Sequence, residues 1–86
     1  SAYNKKAATK ACQNMVGKSL KPIEAAEVGA IVTQWQNKLL IHVGLVISVD
    51  HKLSVLELNE NFGVSCVSLK DWLKGKIKVI YYNDNY

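Results

Sequence analysis

The chain contains no arginine, and its basic side chains other than two histidines are eleven lysines, set against seven acidic residues. They give the 86-residue chain a formal charge of +4 and a pI near 9.1. Specific readers of nucleic acid favour the flat, bidentate guanidinium of arginine. The composition therefore argues against a specific nucleic-acid partner, while a lysine-rich surface suits an anionic polymer such as a bacterial cell wall.

Cysteine and long hydrophobic runs are also scarce. Only Cys12 and Cys66 occur, which is too few for the disulfide scaffold of a small secreted protein, although one bridge between them stays open. No run of apolar residues approaches the length of a membrane span, and the N-terminus lacks the apolar stretch of a secretory signal. We therefore expect no membrane span, and the localisation of the protein stays unknown.

Length and composition indicate one domain that covers residues 1–86. Nearly half of the residues are hydrophobic, and they are spread in short runs of strand length. This pattern is typical of a globular chain rather than of a disordered one. We expect its stability to be marginal because so small a domain buries only a modest share of its surface.

The hydrophobic pattern changes from helical to strand-like along the chain. Alanine, cysteine and methionine recur at helical spacing between residues 4 and 17, which predicts an N-terminal helix. Segment 18–27, with the single proline Pro22, is predicted to be a connection with one helical turn at 23–26. Short runs rich in β-branched and aromatic residues then predict five strands, at 28–35, 39–49, 53–59, 64–69 and 77–82. One further helical turn is expected at 71–73.

This order predicts an α+β domain in which the N-terminal helix packs on a curved antiparallel sheet of about five strands. Antiparallel pairing follows from the short breaks between the strands, because parallel neighbours need a long crossover connection. The helix is expected to cover one face of the sheet and to form the core with it.

The predicted hairpin from His42 to Asn59 contains most of the candidate site residues. If Asp50 and His51 form a two-residue turn, His42 lies across from Asn59, and Glu57 lies on the same face. An imidazole, a carboxylate and an amide would then share one side of a sheet that is otherwise aliphatic. Such a set is typical of a general base held by its orienting partners. Glu57 also has to pair or face water, because an unpaired buried carboxylate costs several kcal/mol.

Three sequence segments resemble a known family. They are HVGLV at 42–46, VLELN at 55–59 and VGAIV at 28–32. Together they are similar to the second half of a CHAP domain, the cysteine amidohydrolase/peptidase module of the papain-like NlpC/P60 superfamily. The likeness covers roughly residues 28–82, and it implies a minimal papain-like core.

The resemblance implies a peptidoglycan hydrolase, an amidase or an endopeptidase, of the kind found in phage endolysins and cell-wall hydrolases. Its partner would be peptidoglycan or a stem peptide. By this likeness Cys12 would be the nucleophile, His42 the base, and Glu57 or Asn59 the orienting group. A thiol is a weak nucleophile until an imidazole or a helix N-terminus stabilises the thiolate. Neither a metal nor a cofactor is expected.

Other interpretations of the same residues stay open. Cys12 fits as a small buried hydrophobe, and Asn59 fits as a turn residue. Trp35 fits as core or groove wall, or alternatively as a substrate-binding residue that stacks on a sugar or peptide at the rim of the site. No role is expected for His51 or Cys66.

Two alternative hypotheses for the whole chain also stay open. The first is a non-catalytic module that binds cell wall or peptide, with a degenerate papain-like fold or an SH3-like barrel. The second is a piece of a larger assembly in which a partner chain completes the groove.

Overall fold

The computed structural model of the chain describes residues 5–59 and 63–84, without the side chains of Lys5, Ala8 and Asn59. Over these residues the elements are α1 (Lys5–Met15), β1 (Leu20–Ile23), β2 (Ile31–Gln36), β3 (Leu39–Val49), β4 (Lys52–Asn59), β5 (Gly63–Ser68), α2 (Leu69–Leu73) and β6 (Val79–Asp84). The strands form one antiparallel sheet in the order β1-β6-β2-β3-β4-β5. The predicted α+β class, with an N-terminal helix and an antiparallel sheet, is confirmed. The sheet dominates the fold.

Two tight hairpins fix the register at the centre of the sheet. Asp50 and His51 both have positive φ, 51° and 67°, and Asn37 and Lys38 have nearly the same pair of values, 52° and 67°. Two consecutive positive φ angles define the turn whose twist matches that of the flanking strands. The β3–β4 ladder therefore runs from the turn up to the pair of Gly44 and Glu57, in the register that the sequence predicts.

The segment between α1 and β2 differs from the prediction. It was expected to be a connection with a helical turn at 23–26, but it contains β1, which pairs with β6 at one edge of the sheet. Pro22 lies within β1, and an edge strand tolerates proline because it needs hydrogen bonds on one side only. A four-residue strand that includes proline gives almost no periodic signal, which is why the sequence pattern missed it.

The two faces of the sheet are covered by different helices. On the face that we call the α2 face, the buried Trp72 of α2 packs on Ala30, Val32, Val46 and Val55. Successive side chains of a strand point to opposite faces, so every second residue of these strands belongs to the other side. That other side, the α1 face, buries Leu20, Thr33, Leu40 and Tyr82.

Helix α1 lies on the α1 face. This placement follows from Tyr82. Its neighbour Tyr81 packs against the Trp72 cluster on the α2 face, so the side chain of Tyr82 points to the α1 face. Burial raises the pKa of Tyr82, and the charge of a Cys12 thiolate adds to the rise, so Cys12 lies within electrostatic range of Tyr82. Of the predicted apolar stripe, Cys12 is half-buried, whereas Ala11 and Met15 are exposed. Neither α1 nor α2, the helices found over residues 5–59 and 63–84, is long and apolar enough to cross a membrane.

Candidate functional site

A β-bulge places His42 on the sheet. His42 lies opposite Gln34, but the next pair along is Leu40 and Trp35, so Ile41 is an extra residue in β3. Such a bulge bends the strand and re-aims the side chains around it. From Gly44 and Val46 the alternation puts His42 on the α2 face, which is also the face of Glu57.

The imidazole of His42 is hydrogen-bonded to the carboxylate of Glu57, through Nε2 and Oε2. Both side chains are only 16% exposed. An ionised carboxylate can only accept, so the proton in this bond belongs to Nε2 of the ring. The second ring nitrogen, Nδ1, forms no hydrogen bond within residues 5–59 and 63–84. In the neutral ring Nδ1 is thus the nitrogen that carries the lone pair, which is the atom a general base uses.

Trp72 closes the site from above. Its indole Nε1 donates to the same Oε2 of Glu57 at 2.8 Å, and its ring stacks on the His42 ring with centroids 5.5 Å apart and an interplanar angle of 21°. The ammonium of Lys76 lies 4.4 Å from the centre of the Trp72 ring and donates to the Trp72 carbonyl. Trp72 is 3% exposed, so this face of the imidazole is shielded from water.

The short helix α2 is capped at its N-terminus by Ser68. The hydroxyl of Ser68 accepts a hydrogen bond from the backbone N–H of Asp71 at 3.1 Å, which caps the helix. The helix follows β5 directly, so the cap fixes where Trp72 enters the α2 face. Sequence order and capping together therefore deliver the indole to Glu57.

The surroundings of Glu57 keep its carboxylate ionised. Burial raises its pKa, but the hydrogen bonds from His42 and Trp72 and the charges of His42 and Lys76 outweigh burial, so the pKa lies below its ordinary value. The site therefore holds an anion beneath an imidazole. That arrangement stabilises the imidazolium that forms whenever Nδ1 takes up a proton.

The absence of a side chain at position 44 leaves room for this arrangement. A Cβ on Gly44 would come within 2.3 Å of Cγ1 of Val55 and 3.3 Å of the Leu56 carbonyl oxygen. Gly44 lies between His42 and the core residue Val46, directly across from Glu57. The glycine lets the strands pack tightly where the His42–Glu57 pair joins the core.

The structure does not bring either cysteine to this pair. Cys12 is on the α1 face, and burial raises the pKa of its thiol, so at neutral pH the sulfur is protonated. Cys66 lies opposite Leu56, whose neighbour Val55 points into the α2 cluster, so Cys66 is also on the α1 face, and it is exposed. Neither forms a disulfide.

The remaining predicted site residues lie away from His42 or outside the described atoms. Asn59 is the last residue of β4 and pairs with Gly63, and its side chain is among the atoms that the structure does not describe. Trp35 is on the α1 face, where its Nε1 donates to Oγ1 of Thr33 at 2.7 Å. The roles predicted for Cys12, His42, Glu57, Asn59 and Trp35 stay predictions.

Sequence reasoning missed the part that Trp72 plays. Trp72 is both a core residue and a hydrogen-bond donor to Glu57. One signal was present: a buried indole N–H needs an acceptor, and Glu57 was the one carboxylate on an otherwise apolar strand. Gln34, opposite His42, was also missed because the bulge that aligns the two has no local signature.

No group of three or more His, Cys, Asp or Glu side chains that could hold a metal ion occurs in the part of the chain that is described. Comparisons of the sequence and the fold with protein-family models, with curated proteins and with solved structures gave no match. The likeness to CHAP and NlpC/P60 domains therefore rests on the sequence segments quoted above.

Proposed function

We propose that this chain supplies the histidine–carboxylate half of a cysteine-dependent hydrolase that cleaves an amide bond of bacterial peptidoglycan, with a CHAP-like, minimal papain-like core. The observation that supports the proposal best is the His42 ring, bound to Glu57 through Nε2 with Nδ1 left as the base. The lysine-rich surface suits an anionic polymer.

The chemistry needs one base and one thiol. Nδ1 of His42 takes the proton of the thiol, and Glu57 stabilises the resulting imidazolium. The thiolate sulfur forms a bond to the carbonyl carbon of the amide, and the electron pair of the carbonyl moves to oxygen. When the tetrahedral intermediate collapses, the amine leaves with the proton from Nδ1, and a thioester remains. Water, deprotonated by the same nitrogen, then hydrolyses the thioester and restores the thiol.

This chemistry needs a thiol next to Nδ1 of His42. Cys12 and Cys66 are the only cysteines of the chain, and both lie on the α1 face. We therefore propose that the thiol reaches Nδ1 from a cysteine on a partner chain that completes the groove over the α2 face. Gln34 is the residue across from His42 on that face, and the partner's thiol would enter beside it.

Gln34→Cys tests whether the base is competent without knowledge of the partner. Directly opposite residues of an antiparallel pair have Cβ atoms about 5 Å apart, which puts a thiol at position 34 within reach of the imidazole. In a background with Cys12→Ser and Cys66→Ser, the thiol at position 34 should react with iodoacetamide at pH 7 about tenfold faster than an ordinary thiol, because its pKa is lowered. The same variant should release new amino groups from purified peptidoglycan.

Two variants control this experiment. Adding His42→Ala to Gln34→Cys should return the labelling to the ordinary rate and stop the release of amines. Leu53→Cys, in the same background, is the second control. Leu53 is half-buried on the α2 face, where it packs against the core and pairs with Ser48 near the β3–β4 turn, so a thiol there should label slowly. If the thiol at position 34 labels as slowly as the one at position 53, with or without His42, the His42–Glu57 pair does not act as a base and the proposal fails.

The second candidate is a non-catalytic module that binds cell wall or peptide. It is favoured by one observation: Cys12 sits across the sheet from His42 with a raised pKa. Under this hypothesis the chain sediments with purified peptidoglycan, releases no amines, and binds equally well after His42→Ala. Slow labelling at position 34 combined with such binding would establish this function instead of the first.

A further inference from the structure

One oxygen of Glu57 accepts hydrogen bonds from two side chains at once. Its Oε2 is bonded to Nε2 of His42, and it accepts a second hydrogen bond from Nε1 of Trp72 at 2.8 Å. The indole N–H is a donor only, so its bond to Oε2 is made whether or not the imidazole is charged. Both donors draw on the negative charge of the same oxygen. Trp72 therefore weakens the hold of Glu57 on an imidazolium at His42.

A cation lies over the same indole. The ammonium of Lys76 is 4.4 Å from the centre of the Trp72 ring and donates to the Trp72 carbonyl, so the ring and the backbone of one residue both hold it. Its charge reaches the carboxylate, because it is among the causes that lower the pKa of Glu57. A positive charge disfavours a second one nearby. Lys76 therefore opposes the protonation of His42 that Glu57 favours.

The other residues that meet the His42–Glu57 pair within the sheet carry no charge. Gln34 of β2 lies opposite His42, and Ser65 of β5 lies opposite Glu57. Over residues 5–59 and 63–84, the charges that lower the pKa of Glu57 are those of His42 and Lys76. The indole N–H and the ammonium can thus be removed one at a time, with no third charge to compensate.

We propose that Trp72 and Lys76 are positioning residues of this site, which hold the Glu57 carboxylate and oppose a second positive charge, so that His42 releases its proton at a lower pH than it would beside Glu57 alone. The ring is then the neutral base for a larger share of the time at neutral pH. The inference rests on the proposed function only in the use that it gives to this base.

The test is an NMR titration of the His42 ring, followed through its carbon-bound protons, with His51 as the internal reference. Lys76→Met removes the ammonium and keeps the indole, and it should raise the midpoint of the His42 titration by about 0.5 pH unit. Lys74→Met is the matched control. Lys74 is 73% exposed and paired with Asp71, so its loss should move the midpoint by less than about 0.1 unit. Lys76→Arg keeps the charge and should titrate like wild type.

Trp72→Phe tests the hydrogen bond of the indole. Phenylalanine keeps an aromatic ring beside the imidazole but has no N–H, so the midpoint of His42 should again rise by about 0.5 pH unit. The rise should disappear in a Glu57→Gln background, because the indole acts through the carboxylate. A rise of equal size in that background would mean that Trp72 only shields the ring from water, and it would overturn the role proposed for the indole.

A midpoint that stays at the wild-type value in Trp72→Phe or in Lys76→Met would overturn the inference. Equal rises in Lys76→Met and Lys74→Met would overturn it too, because the effect would then be that of any nearby charge. Iodoacetamide labelling of Gln34→Cys decides the proposed function separately. Midpoints that move as expected, combined with slow labelling at position 34, would support the positioning roles and remove the hydrolase.

Discussion

The two faces of the sheet use polar side chains in different ways. On the α1 face the hydroxyl of Thr33 donates to the carbonyl of Ile80 at 2.7 Å and accepts from Trp35, so neutral groups satisfy one another and the backbone. On the α2 face a carboxylate, an imidazole and an indole bind each other, and one ring nitrogen of the imidazole has no partner among residues 5–59 and 63–84. The first arrangement uses every polar group in a structural bond, whereas the second leaves Nδ1 of His42 without a hydrogen-bond partner among the described residues.

The order of the elements along the chain places Cys12 and His42 on opposite faces of the sheet. Helix α1 comes before the sheet and crosses the α1 face, while α2 follows β5 and folds onto the α2 face. His42 therefore receives its partners from β4, its neighbour in the sheet, and from α2, which packs against β4 and β5. Cys12 receives burial alone, which makes its thiol less reactive.

Trp72→Ala should have the largest effect, because it removes the centre of the α2 face. Truncation of a buried tryptophan costs about 3 to 5 kcal/mol, a large share of the stability of a domain this small. Urea unfolding measures the loss. Ile77→Ala is the control, since Ile77 is 99% exposed and its truncation should change the free energy of unfolding by less than about 0.5 kcal/mol. Equal effects of the two variants would mean that Trp72 does not anchor this face.

Gly44→Ala should come next, at about 1 to 3 kcal/mol, because the new methyl group overpacks the core next to the dyad. The obstacle is Cγ1 of Val55, so adding Val55→Ala should make the Gly44→Ala change nearly neutral in a double-mutant cycle. The cycle is measured by thermal and urea unfolding of the four proteins. Strictly additive effects would show that the tight contact between β3 and β4 does not exist.

Glu57→Gln replaces the ionised acceptor of the site by a neutral one. It should lower the free energy of unfolding by about 1 to 2 kcal/mol at neutral pH, because hydrogen bonds to a charged group are stronger than neutral ones. The pKa of Glu57 is lowered in the folded state, so its contribution is fully present above the ordinary value of 4.5 and is lost as the pH falls through the lowered pKa. The gap between wild type and variant should therefore shrink in acid. A gap that is constant from pH 7 down to acid unfolding would contradict the charged bond.

The smallest effect is expected at the thiols of the α1 face, where labelling changes and stability does not. Cys66 is exposed and should react with iodoacetamide at the rate of an ordinary thiol, whereas Cys12 should react more slowly, because a raised pKa leaves less thiolate at neutral pH. Mass spectrometry after peptide digestion reports both sites in one sample. Faster labelling of Cys12, lost in His42→Ala, would show that the two faces communicate.

Much of the site could be predicted from the sequence, and the features that could not be predicted have physical causes. The pairing of β3 with β4 could be predicted because the Asp50-His51 turn and strand alternation are local, and they set His42 and Glu57 on one face. The face that α1 covers could not be predicted, because an amphipathic helix packs on either side of a sheet equally well as far as its own pattern shows. The bond of Trp72 to Glu57 joins residues 15 apart through the entry angle of a five-residue helix, which no spacing rule encodes.

The proposed chemistry depends on the tautomer of His42, with the proton on Nε2 and the lone pair on Nδ1. ¹⁵N NMR of the chain with labelled histidine reads the tautomer directly, at a pH where the rings are neutral, and the exposed His51 serves as the internal reference. We predict that His42 is fixed in the Nε2–H tautomer in wild type and loses that preference in Glu57→Gln. A His42 ring protonated on Nδ1, or one that matches His51 in both proteins, would rule out Nδ1 as the base.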